Sequence, residues 1–173
     1  GTPGGASAPD ADGTAARYLE AIGGRAVVGS LRTIHTVDSV WMAGLAGTSE
    51  SWWIREPFAG RISMRIVPVS QELLIAGDSV WSVDRNGALS SGDGMARSQA
   101  ALARLTVFQD AFLDPQAHGV TAGPDTVLDG REAVRLDFEA GGIPVSYFFS
   151  RESGLPVLIR TEALGMEVLS RPG

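Results

Sequence analysis

The 173-residue chain contains no cysteine and no lysine, so all 14 of its basic residues are arginine. Without cysteine it can form no disulfide, thiolate metal site, haem thioether link or cysteine nucleophile. Without lysine it has no Schiff-base amine, no lysine general base and no phosphate-loop lysine. Histidine is scarce as well. His35 and His118 are far apart, neither belongs to an H-x-x-x-H or H-E-x-x-H pair, and both read as structural or surface residues. No metal or cofactor is expected.

No apolar run approaches the roughly 18 residues of a membrane-spanning helix, so no transmembrane segment is expected. The chain carries 20 acidic residues and a net charge of -6, with no basic cluster, which argues against an extended nucleic-acid surface. Catalytic signatures are missing too. G-x-S-x-G does not occur, and Gly92-Asp93-Gly94 is not the D-T-G or D-S-G of paired-carboxylate peptidases. Asp78, Asp84 and Asp93 fall near turns, where carboxylates bond local backbone. The chain is not expected to be an enzyme.

What is present is a 44% apolar composition with 22 Gly, 9 Pro, 4 Trp and 6 Phe, suited to one loop-rich globular domain. Residues 1–14 (GTPGGASAPDADGT) read as a flexible segment, a linker or the remnant of a processed leader or lipid-anchored start, and 15–170 as a single domain. Asp12 or Thr14 can cap a first helix bearing Ala15, Ala16, Leu19 and Ile22, which Gly23-Gly24 interrupts before a second short helical turn.

From about 32 to 83 the apolar period is two. Segments 32–43, 48–56, 61–67, 70–77 and 79–84 read as an antiparallel meander; in 61–67, Ile62, Met64 and Ile66 alternate with Arg61, Ser63 and Arg65. Asp84-Arg85-Asn86-Gly87 is a strong turn. Residues 95–113 predict one long helix with a stripe of Ala101, Leu105, Phe108 and Phe112, broadened by Met95 and Leu102 and stopped by Pro115. A second strand block follows over 125–129, 131–140, 143–150, 156–162 and 165–169. The absence of a strand-helix-strand repeat excludes a parallel nucleotide-binding sheet, and the class is mainly β with α, a curved antiparallel sheet over two or three helices.

Aromatic residues recur in both blocks and on the helix. Trp52 and Trp53 are adjacent on a strand, as are Phe148 and Phe149, so each pair points to opposite faces. Both faces must then be covered, or one left as a contact surface. A curved sheet incompletely filled by the helix would leave an apolar groove, and each methylene buried there contributes about 0.8 kcal/mol.

Six stretches in order, RYLEAIGGRAVVGSLRTI (17–34), SESWWIRE (49–56), SVWSVDRNG (79–87), a helix ending in FLDP, DGREAVRLDFE (129–139) and YFFSRESGLPVL (147–158), resemble the LolA-like superfamily of bacterial lipoprotein-sorting and lipid-carrier proteins. The resemblance implies an incomplete antiparallel β-barrel draped over helices, holding acyl chains inside, in the periplasm or at the envelope. It implies as lining residues Trp41, Trp52 or Trp53, Met64, Leu73 or Leu74, Trp81, Phe108, Phe112, Phe138, Tyr147 and Phe149. It also implies a strand arginine that bonds helix backbone and controls opening, for which Arg55 and Arg65 are the candidates. The expected function is non-enzymatic binding or transport of a lipid, a lipoprotein acyl chain or another hydrophobic ligand. The alternative is an assembly module, within a larger envelope protein or one bearing a peptidase further on, whose exposed aromatics such as Trp53 and Phe148 contact a protein partner.

Overall fold

The computed structural model describes residues 10–42, 44–84, 86–163 and 166–170. Along them run helices α1 (Ala11–Ala21) and α2 (Arg25–Ser30), then strands β1 (Thr33–Met42), β2 (Leu45–Ile54), β3 (Ala59–Ile66), β4 (Val69–Ala76), β5 (Ser79–Val83) and β6 (Leu89–Ser91). Helices α3 (Gly94–Thr106) and α4 (Asp110–Leu113) follow. The chain continues through β7 (Thr121–Ala122), β8 (Thr126–Leu128), β9 (Arg131–Ala140), β10 (Ile143–Ser150), β11 (Pro156–Ala163) and β12 (Met166–Ser170). The fold is α+β and its strand pairing is antiparallel throughout.

The chain divides into two compact units, one from the described residues up to Val28 together with those from Asp110 onward, the other from Gly29 to Gln109. Each unit holds one of the two strand blocks. In the 29–109 unit, β1 to β6 pair in sequence order, as short connections between antiparallel strands dictate. In the other unit the order is β12-β11-β10-β9-β7, with β8 also pairing β9. Neither sheet closes on itself among the described residues, so the architecture is that of open sheets and not of a closed barrel.

Two local expectations are corrected. The first helix begins at Ala11, because Asp10 and not Asp12 or Thr14 is its cap, its carboxylate accepting from the Gly13 amide. Residues 11–14 are therefore helical, while 1–9 of the expected flexible segment lie outside the described residues. The expected 95–113 helix is two helices. Gln109 takes a left-handed φ of 61°, which no continuous helix allows, so α3 ends at Thr106 and α4 starts at Asp110. Phe108 and Phe112 consequently do not share a stripe.

In the unit that holds the second strand block, Phe112 of α4 is the hub of an aromatic core. It meets Tyr18, Phe138, Tyr147 and Phe149 edge-on at centroid separations of 5.2, 6.0, 5.1 and 5.5 Å. Gly141-Gly142, with φ of 59° and 81°, makes the tight turn that sets the β9–β10 register, so Val145 lies opposite Phe138 and Phe149 opposite Val134. Phe148 points to the other face, where it packs with Ala133 and Leu158 under the guanidinium groups of Arg135 and Arg160.

Candidate ligand-binding site

In the 29–109 unit the sheet presents one face to α3. Register places Ile34, Trp53, Gly60, Ile75 and Val80 in one row of that face, and Ser51, Ile62 and Leu73 in the next. Ser49, Met64 and Gln71 form the third. Helix α3, capped by the Asp93 carboxylate on the Ala96 amide at 2.9 Å, buries Ala96, Ala100 and Ala103 against the first rows. Alanine at these positions lets the helix approach closely, and Trp53, Leu73, Ile75, Val80 and Phe108 fill the core beneath it. The Trp53 indole N–H is not left bare: it donates to Ser51 Oγ at 2.9 Å, which in turn bonds Thr36 Oγ1 at 2.8 Å.

Packing does not extend to the third row. Between Ile62, Met64 and Leu73 on the sheet and Leu102, Ala103 and Val107 on the helical side lies an apolar groove of about 310 Å³, with Ser49, Gln71, Gln99 and Thr106 completing its lining. Its size is at the lower end of small-molecule sites, about 300–1,000 Å³. Apolar walls with amide and hydroxyl groups among them suit a hydrocarbon body better than a charged one.

Arg55, immediately after β2, donates from Nη1 to the carbonyl oxygens of Gly29 (3.3 Å) and Leu31 (3.4 Å) at the end of α2. Its guanidinium also lies 5.4 Å from the centroid of Phe108. Arg65, the other arginine considered, is exposed on the face away from α3, in line with Arg61 and Ser63.

The implied lining residues are thus distributed over several places. Met64 and Leu73 line the groove, while Trp53 and Phe108 are buried in the adjoining core. Trp52, Leu74 and Trp81 line a different depression, on the face away from α3. Phe112, Phe138, Tyr147 and Phe149 are packed in the closed aromatic core of the other unit. The Trp41 side chain lies outside the described residues. Trp53 and Phe148, expected as exposed contact aromatics, are only 4% and 3% exposed; among the described residues the exposed tryptophans are Trp52 and Trp81, at 37% each. Ile62, Leu102 and Val107 were not among the candidates. The alternation in 61–67 already put Ile62 on the face of Met64, which is the signal that could have found it.

A further depression of about 630 Å³ lies in the unit of the second strand block, between Leu128, Ala133, Val157 and Leu158 and the charged residues Asp129, Arg131, Glu132 and Glu152. Its mixed lining does not make an apolar site. In the same unit, burial pushes the Tyr18 phenol up to about 12.

No family model matches the chain, and no curated protein matches it. Among solved structures the chain is similar to MucB, at 17% identity and a TM-score of 0.39, over 92% of this chain and 55% of that one. It is also similar to a DUF1329 family protein from Desulfovibrio piger, at 11% identity and a TM-score of 0.46, over 91% and 85% of the two chains. A third is LprF from Mycobacterium bovis, at 12% identity and a TM-score of 0.35, over 90% and 91%. The chain therefore spans little more than half the length of the MucB chain.

Proposed function

We propose that this chain is a non-enzymatic, LolA-like binding protein of the bacterial periplasm or envelope that holds an acyl chain or a similar apolar ligand in the groove between β2–β4 and α3. The observation that carries the reading is the open space at the third row: Met64, flanked by Ile62 and Leu73 at the edge of the core, faces Leu102 and Val107 across a groove that no side chain fills. Each methylene entering that space leaves water and contributes about 0.8 kcal/mol, with no reacting group required. The order of the sequence motifs adds the LolA-like resemblance.

Arg55 would act as the latch. Its bonds to the Gly29 and Leu31 carbonyls tie the start of the unit to the end of β2, over Phe108, and releasing them frees that corner. A second reading, contact with an envelope protein partner, draws on the exposed Trp52 and Trp81. The test of the first is mass spectrometry of the purified chain for retained lipid, together with titration by a fluorescent fatty acid. Retained lipid or saturable uptake supports it, and absence of both refutes it.

A further inference from the structure

The face of the first sheet that points away from α3 carries a row of five residues directly opposite one another: His35, Trp52, Arg61, Leu74 and Trp81, one from each of β1 to β5. The first three are already stacked. The His35 ring lies parallel to the Trp52 indole at 5.0 Å and 9°, and from the neighbouring strand on the other side the Arg61 guanidinium lies 5.4 Å from the Trp52 ring centroid. Glu72 clamps the guanidinium through Nη2 at 2.9 Å.

Beyond Arg61 the row opens. Leu74 is followed by Trp81, and in the adjoining row Ala59 lies opposite Ala76, two methyl groups where bulk would close the surface. The result is a depression of about 520 Å³ whose lining includes Trp52, Ile54, Leu74, Trp81 and Leu89, with Arg61 the single charged group among the described residues that line it. Neighbouring strands are about 4.8 Å apart, so β3 and β5 stand about 9.6 Å apart, a width that admits one flat ring above Leu74.

We propose that this depression is a binding site for a flat aromatic ring, which continues the His35–Trp52–Arg61 stack on the side of Arg61 away from Trp52. Charge excludes an anion as the favoured occupant. Glu72 already neutralises Arg61, and Glu50 stands on the same face, the two holding the guanidinium above its ordinary pKa, Glu72 first through its hydrogen bond. A carboxylate or phosphate would have to displace one carboxylate and approach another. An aliphatic body fits the volume but gains nothing from the guanidinium face, which favours a planar π system. Because the clamp fixes that face beforehand, little ordering cost falls on binding.

The test compares 2-naphthylmethanol with its saturated, puckered counterpart decahydro-2-naphthylmethanol, following the indole N–H resonances of the whole chain by NMR. The expected result is saturable movement of the Trp52 and Trp81 signals with Trp53 unmoved, and binding of the flat alcohol at least about tenfold tighter. Arg61→Ala and Trp81→Ala each weaken it by a similar factor, and Ala76→Leu, which fills the floor, abolishes it should either of those variants fold poorly. Met64→Trp, in the groove on the opposite face, leaves it unchanged, so this site and the apolar groove stand or fall separately. Equal binding of the two alcohols, no saturable movement, or movement that tracks protein dimerisation instead of ligand would each overturn the proposal.

Discussion

The indole of Trp53 lies directly over Gly60: a β-carbon at position 60 would stand 2.1 Å from Cε3 and 2.3 Å from Cζ3 of that ring. The two residues face each other across β2 and β3, and the missing side chain of one is the space that the other occupies. This pairing seats the indole under α3 and lets its N–H reach Ser51.

Gly60→Ala is therefore expected to displace Trp53 and to destabilise the chain by about 1–3 kcal/mol, the range for overpacking a filled core. Urea unfolding measures it, and an unchanged midpoint would mean that the ring moves aside freely. A glycine within a strand ordinarily weakens it, so its presence opposite the buried tryptophan is a packing requirement and not a turn.

Arg55→Ala removes two carbonyl hydrogen bonds and the contact with Phe108, and is expected to cost about 1–2 kcal/mol of stability. If Arg55 is the latch, release of a bound fluorescent fatty acid also quickens by about tenfold, with Arg55→Lys intermediate because an ammonium cannot reproduce the planar fork. Stopped-flow release measures it. Equal release rates in all three proteins would leave Arg55 a structural residue only.

Tyr18 supplies a pH prediction. Its folded pKa of about 12 lies above the ordinary 10, so the folded chain holds a proton that the unfolded chain has lost between those values. Stability is thus fully present below pH 10 and falls by about 2–3 kcal/mol as pH rises to 12. In a Tyr147→Phe background, which leaves Tyr18 as the one tyrosine, tyrosinate absorbance should appear near pH 12 or together with unfolding. Ionisation near pH 10 in the folded chain would contradict the burial argument.

Phe112 touches four other aromatic rings and is fully buried. Phe112→Ala should cost about 3–5 kcal/mol by transfer and cavity terms together. Denaturant unfolding followed by Tyr18 and Tyr147 signals is the measurement, and a loss below 1 kcal/mol would show that the core collapses around the gap.

Strand content was legible because alternation survives without tertiary information: Ile62, Met64 and Ile66 against Arg61, Ser63 and Arg65 fix both strand and facing. The break at Gln109 was not, since apolar spacing continues through Phe108 and Phe112 while a left-handed glutamine leaves no composition signal. Facing was also readable for Trp52 and Trp53, but not which of them meets α3. That depends on Gly60, whose register opposite Trp53 is a pairing property. The candidate residues implied by the resemblance favoured large rings that complete cores; they included Met64 and Leu73 of the groove but not Ile62, Leu102 or Val107. Incomplete filling is a property of volumes across two elements, and no one-dimensional pattern records it.

The central claim is that the groove beneath α3 holds an apolar chain, and the most direct test is equilibrium titration of the purified, delipidated protein and its Met64→Trp variant with a fluorescent long-chain fatty acid. The account predicts saturable one-to-one binding by the parent protein, weakened by about tenfold or more when the larger side chain fills the groove, and unchanged in Trp81→Ala. Binding by Met64→Trp as tight as by the parent, or no saturable binding by the parent at all, would contradict it.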